Sequence, residues 1–458
     1  MYKKNAWEKY TKDEMTLCMQ FSEGYKDYLT ASKTEREMVI SSVNLAKKYG
    51  YKDIKEFKTL KAGDKVYATN KGKNFAAFII GKEPITKGLN ILGAHIDSPR
   101  LDIKQNPIYE DNDICYLDTH YYGGIIKYQW VTRPMALHGV ICKKDGSLEV
   151  VNIGEDENDP VFCISDLLIH LSADKLTKTA AKAVEGEDLD LIIGGGITFK
   201  EDDKATVKAN ILRILKEKYG ALEEDFISAE LEVVPAGKTR DLGLDRSMVL
   251  GYGQDDKVCS YTSLMALLDS NDLERTSSVY LVDKEEVGSI GATGAESKWY
   301  FNLVARMISM QEGNYNDLKL IDCLENTYML SSDVSAGYDP LYKGVFESKN
   351  ASYLGQGLTF NKYTGARGKS GCNDAMPEFM AKIRRIMDDN NIAYQTAELG
   401  RVDVGGGGTI AYIMGNYNMN VIDAGVPVLS MHAPSEITSK ADIYEAYLGY
   451  KAFIKEIK

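Results

Sequence analysis

The sequence predicts an α/β protein, a mainly parallel sheet layered with helices, interrupted by a β-rich insertion. Three observations predict it. From about residue 245 onward, short apolar runs alternate with helical stretches, the texture of strands joined by crossover helices. The first hundred residues share that texture. The stretch from about 106 to 240 does not: it is mostly short alternating segments such as "GVICKKDGSLEVVNIG" and "AELEVVP", as half-buried antiparallel strands require. A chain of 458 residues is also too long for one simple core, so two or three domains are expected.

In order along the chain, the first 50 residues read as helix. "SKTE", Ser32 to Glu35, has capping-box spacing, and Gly50 stops the helix after "NLAKKY". "NFAAFIIGK" and "LNILGAHID" follow as strands around a lysine-bearing turn. Within the insertion, "DDKATVKANILRILKEKYG" is an amphipathic helix with Val207, Ile211, Ile214 and Leu215 at helical spacing. "IIGGGIT" at 192–198 reads as a tight turn, and Pro235, Gly237 and the charged run to Arg246 mark the exit. "SSVYLVD", "NTYMLSSD" and "GVPVLSMH" are then strands, and "VCSYTSLMALLDS" and "SKADIYEAYLGYKAFIKEI" are helices. The simplest topology places 106–240 inside one α/β domain built from 1–105 and 241–458.

Composition narrows the function classes. Apolar residues are 44%, charged residues 27%, and net charge is −12. A globular protein is expected, with no nucleic-acid or anionic-membrane partner, because both need a basic field. The opening "MYKKNAWEKYTKDEM" lacks the apolar core of a secretory signal, and runs such as "FAAFII" are far short of a membrane span. Seven cysteines without C-x-x-C spacing fit a reducing, cytoplasmic setting.

The chemistry-bearing residues follow the strands. His95 comes after "NILGA", Glu285 and Glu286 after "SSVYLVDK", Asp333 after "TYMLSS" and His432 after "VPVLSM"; Asp256 precedes a helix in "GQDDKVCS". In open α/β sheets, functional residues gather at the carboxyl ends of strands. Two histidines with carboxylates meet the needs of two divalent ions, one carboxylate being shared; such donors suit zinc, and also manganese or cobalt. Asp97, two residues beyond His95, would face the same side and orient the imidazole. The adjacent glutamates cannot both reach one ion from extended backbone. At a turn, one would bind metal and the other act as general base.

Taken in order, "GAHIDSPRLDIK", "GYGQDDKVCSYTSL", "DKEEVGSIGATGAES", "SSDVSAGYDP" and "MHAPSE" resemble the M18 family of metallo-aminopeptidases, as does "YYGGIIKYQWVTRPMALHGVI". The resemblance implies a zinc-peptidase-like α/β sandwich with two metals, usually zinc. His95, Glu286, Asp333 and His432 would be ligands, Asp256 the bridging carboxylate and Glu285 the general base. It also implies peptide substrates, a dimerisation role for the inserted domain, and a homo-oligomer, a dodecamer built from dimers. The chain departs from the family pattern at Lys257 and in "HAPSE". In "FCISDLLIHL", Asp166 stands where other members place an inserted-domain histidine, with His170 four residues on.

Two loops are candidates for the substrate. "TFNKYTGARGKSG" carries Lys362, Arg367 and Lys369, cations that would hold an acidic first side chain. "DVGGGGTIAYI" carries Gly407 and Thr409 and lacks the spacing and lysine of a phosphate cradle; the resemblance places it along the cleft. Cys259, without a marked base beside it, reads as packing. A carboxypeptidase or deacylase on a related fold, an inactive assembly protein and a nucleotide binder are the rival readings.

Overall fold

The computed structural model describes residues 5–196 and 206–458, the side chains of 366 and 367 excepted. They sort into two compact units. One holds the chain up to Asp97, with Thr239–Met431 and Glu436–Lys458; the other holds Ser98–Lys238 and His432–Ser435. The second unit begins upstream of residue 106 because a long antiparallel strand already starts at Arg100.

The first unit is built on a nine-stranded sheet. At its centre Ser277–Val282, Asn90–His95, Tyr328–Ser331 and Asn420–Gly425 lie side by side and parallel. Asn74–Ile79 joins one side antiparallel and Leu358–Asn361 the other. Lys65–Asn70, Lys52–Asp53 and Tyr394–Thr396 complete the edges. This is the mainly parallel α/β sandwich that the alternating texture predicts.

Both faces of the sheet are covered, which is why its central strands read as unbroken apolar runs. Side chains alternate between two cores. Leu92, Val279, Leu281, Leu330 and Ile422 pack into one with helices Gln254–Leu268 and Lys440–Glu456. Ile91, Tyr280, Val282, Met329 and Val421 pack into the other with helix Trp299–Glu312. Each such side chain contributes roughly 1.5–3 kcal/mol on leaving water.

Local signals are displaced in places. The capping box before helix Glu35–Lys48 uses Thr34 and Glu37, not Ser32 and Glu35. Ser32 instead donates to the Ser41 hydroxyl at 2.7 Å, and buried Glu35 pairs with Lys73 at 2.6 Å. The apolar run "GVPVLSMH" yields only the short strand Pro427–Val428, paired with Ser335–Ala336.

The second unit is a six-stranded antiparallel sheet in the order Leu148–Ile153, Met135–Cys142, Ala229–Pro235, Arg100–Asp111, Ile114–Tyr122, Leu191–Gly194. Helix Val207–Tyr219 is capped by Thr206; residues 202–205 of the predicted helix, and 197–198 of the glycine turn, lie outside the described residues. An apolar tract faces solvent here. Leu168, Ile169, Leu171 and Leu176 are each more than half exposed, as is Val150 on the edge strand. Among the described residues no helix is long and apolar enough to cross a membrane.

Candidate metal centre

The carboxyl edge of the central strands gathers the site. His95 is the last residue of its strand and is buried. Its Nδ1 lies 3.0 Å from the Asp97 carbonyl oxygen and 3.3 Å from Asp97 Oδ1. Both are acceptors, so Nδ1 carries the hydrogen and Nε2 faces the other way. There it lies 3.1 Å from Asp255 Oδ1 and 3.9 Å from Asp333 Oδ1.

Asp97 does more than orient the ring. Its Oδ1 accepts the backbone N–H of Glu285 at 3.1 Å and its Oδ2 that of Glu286 at 3.2 Å. The adjacent glutamates are presented by a turn: Lys284 has φ +69°, and Glu285–Val287 form one 3₁₀ turn ending at Gly288. The turn breaks the extended backbone that would point the two carboxylates apart. A buried hydrogen bond from Thr293 Oγ1 to Asp283 Oδ2, 2.6 Å, closes the loop behind them.

The Asp255–Asp256 pair opens helix Gln254–Leu268, and both are buried. The neighbours divide their contacts. Asp255 meets Nε2 of His95, and its own N–H donates to buried Glu436 at 3.0 Å. Asp256 Oδ2 accepts the His95 backbone N–H at 3.2 Å, while its Oδ1 is buried with no hydrogen-bond partner among the described residues. Ser260 fixes the same strand end by donating to the His95 carbonyl at 2.7 Å.

Two overlapping sets of donors result. His95, Asp256 and Asp333 offer ligand atoms all within 4.8 Å of one another, and so do His95, Asp255 and Glu286. His432 lies with the second unit, where its Nδ1 meets the Gly124 carbonyl at 2.8 Å.

The electrostatics fit a cation. Burial first, then the charge of neighbouring Asp255, pushes the Asp256 carboxyl well above its ordinary range. Burial and then Asp256 do the same to Asp333. Burial disfavours a charged His95, yet Asp255 and Asp97 outweigh it and hold the imidazole well above its ordinary value. Such crowding of carboxylates in low dielectric is relieved by a divalent ion. The donor types, one imidazole among several buried carboxylates, suit that ion. Cys259 beside them is buried, its thiol pushed up by burial and then Asp256, and is not a nucleophile.

The substrate candidates are spread over two loops. Lys362 pairs with Asp374, as does Lys369 at 3.0 Å, and the two lysines hold that carboxyl below its usual range. Arg367 has its side chain outside the described residues. Gly407 donates its N–H to the Thr364 carbonyl at 3.0 Å. Thr409 donates to Asp423 at 2.6 Å. The motifs do not single out Asp255, Asp283, Asp423 or Glu436 as site residues. For Asp423 a signal existed, an acid inside the apolar strand "NVIDAG".

Fold and donor set together define an α/β metallopeptidase. The chain matches the family described as aminopeptidase I zinc metalloprotease (M18) over residues 28–454. It is 57% identical over 456 residues to a probable M18 family aminopeptidase 1 of Clostridium acetobutylicum, covering 98% of each chain. An M18 aminopeptidase structure from Thermotoga maritima superposes with a TM-score of 0.96 at 43% identity, covering 100% of both chains. The Saccharomyces cerevisiae mApe1 dodecamer shares the fold, with a TM-score of 0.77 at 21% identity over 96% of this chain and 97% of that one. The chain belongs to the M18 aminopeptidases.

Proposed function

We propose that this M18 aminopeptidase hydrolyses the first peptide bond of its substrates with two divalent ions and Glu285 as general base. The observation that carries the reading is the convergence of carboxylates on Nε2 of His95, whose other nitrogen is engaged by Asp97. His95, Asp255 and Asp333 would hold one ion; Asp255, Glu286 and His432 would hold the other. Asp255 is favoured over Asp256 as the shared carboxylate because it meets the ring nitrogen, whereas Asp256 accepts the strand's backbone N–H. Zinc follows from the family, and manganese or cobalt would suit the same donors.

When bound, such ions lower the pKa of a water toward neutrality and polarise the scissile carbonyl. Glu285 takes the proton from the attacking water and delivers it to the leaving amine. Asp97 holds Glu285 and Glu286 by their backbone N–H groups, which keeps the base and the ligand in separate places. Gly407 and Thr409 would line the cleft. Lys362 would meet an acidic first side chain only in competition with Asp374, and Arg367 would act beside it.

We read the inserted unit as the dimerisation domain, with the exposed tract around Leu168–Leu171 as its contact. A dodecamer built from dimers would match the dodecamer that mApe1 forms. All seven cysteines are free, which supports a cytoplasmic setting.

The test begins with protein stripped and reloaded with zinc, manganese or cobalt, then offered Asp-, Glu-, Leu- and Lys-aminoacyl chromogenic substrates with N-acetylated controls. Free substrates should be cleaved and acetylated ones spared; the reverse sinks the aminopeptidase reading. Glu285→Ala should keep its metal and lose turnover by about two to four orders of magnitude. Glu286→Ala should lose metal by elemental analysis. Wild-type turnover in the first, or full occupancy in the second, rejects the assigned role.

A further inference from the structure

Asp423 is a buried carboxylate outside the donor set, placed where three site-bearing segments meet. Its strand pairs Asp423 with Ser331, two residues before Asp333, on one side. On the other side it pairs Asp423 with Asn361, the residue before Lys362. Its Oδ1 accepts the Thr409 hydroxyl at 2.6 Å, and that hydroxyl also accepts the Ala411 N–H at 3.3 Å. Thr409 ends the run Gly405–Gly408, and Gly407 reaches across to the Thr364 carbonyl at 3.0 Å. A cavity of about 230 Å³ lies between the 363–369 loop and the 398–405 segment; its lining includes Tyr363, Lys369, Glu398, Arg401 and, from the run, Gly405.

A run of glycines has no side chains to hold its shape and loses much entropy when fixed. Something else must hold it. Its described anchors are the Gly407 N–H to Thr364, the Gly405 N–H to Arg401 and, at its end, the Thr409 hydroxyl. Of these, only the last is held by a side-chain carboxyl, at 2.6 Å. Burial raises the Asp423 carboxyl to about 7 although the hydroxyls of Thr409 and Ser331 oppose the rise, and the charge of Glu285 adds to it. The protein thus keeps a costly buried acid at this junction.

We propose that Asp423 is a positioning residue: through Thr409 it fixes the Gly405–Gly408 run, whose first glycine lines this cavity, so that the cavity is shaped to take the first side chain of the substrate. The substrate part rests on the proposed aminopeptidase function; the tether itself does not.

The experiment compares Thr409→Val, Thr409→Ser, Asp423→Asn and Asp423→Ala with wild type in the metal-loaded protein. It reads deuterium uptake in peptides covering 403–410, metal content, and KM and kcat on the best aminoacyl substrate. Thr409→Val and Asp423→Ala should raise uptake in that segment and raise KM about tenfold, the loss of one buried hydrogen bond. Metal content should hold and kcat should change far less than KM. Thr409→Ser, and Asp423→Asn with its remaining acceptor oxygen, should recover most of both effects. Unchanged uptake in Thr409→Val overturns the tether, as does an Asp423→Asn variant as impaired as Asp423→Ala. A loss confined to kcat, or a loss of metal, overturns the positioning role. If wild type cleaves no aminoacyl substrate, the proposed function fails, and the exchange data alone decide the tether.

Discussion

Replacing Asp97 by asparagine should cost the protein metal affinity without touching a ligand. Asp97 is fully buried and each of its oxygens accepts one backbone N–H, from Glu285 at 3.1 Å and Glu286 at 3.2 Å, while Oδ1 also faces His95 Nδ1 at 3.3 Å. Asparagine offers a single acceptor oxygen. Its amide NH2 would then confront a donor, either the Glu286 N–H or the pair formed by Glu285 and His95. Leaving one buried donor unsatisfied costs about 1–3 kcal/mol. If about 2 kcal/mol of that reaches the metal site, affinity falls about thirtyfold, within the roughly 10–100-fold range for partners of metal ligands. Zinc titration in chelator buffers, with elemental analysis at each point, measures it, and kcat at saturating zinc measures the displaced Glu285. An Asp97→Asn variant with zinc affinity within threefold of wild type, and unchanged kcat, would refute the argument that this carboxylate sets both loops.

Two further outcomes test other parts of the structure. Lys440 is fully buried with its Nζ 2.9 Å from Asp241, which Lys26 also meets at 2.5 Å. Burial alone would raise the Asp241 carboxyl, but Lys26 and Lys440 hold it below its usual range. Its contribution is therefore present above its unfolded value near pH 4 and lost as pH falls through the lower folded value. Asp241→Asn should cost about 2 kcal/mol at pH 7, lower Tm by about 2 °C in a chain of this length, and shrink the loss of stability in acid; a scanning-calorimetry Tm equal to wild type would count against it. In the inserted unit, Leu168→Ser with Ile169→Ser should dissociate the proposed oligomer, read by light scattering at micromolar chain, while unit folding by circular dichroism holds; an unchanged mass would exclude this tract as the contact.

The frame was more legible than the donor geometry. Apolar runs marked the central strands because both faces of the sheet are buried, and so every residue of Asn90–His95 is enclosed. The acids after those runs pointed to the carboxyl edge for the same reason. What stayed hidden depends on dihedrals and on distant partners. Asp255 and Asp256 are adjacent, and which of them meets the imidazole is decided by non-helical backbone at both residues, φ −78° and −114°. Lys362 and Lys369 look like free cations in sequence, yet Asp374, twelve residues beyond Lys362, draws on both. The second compact unit opens at Ser98, ahead of residue 106, because Arg100–Asp111 begins within a motif that reads as part of the site.

The candidate metal centre and the proposed substrate cavity rest on different kinds of backbone. His95 closes a strand buried throughout and flanked by parallel neighbours, whereas the residues nearest the cavity sit on loops where Val402 and Val404 stand more than half exposed. A loop can lengthen, shorten or exchange side chains without asking the strands to move. With the first side chain read on those loops, as proposed, selectivity for one amino-terminal residue over another could change while the strands that carry the site stay in place.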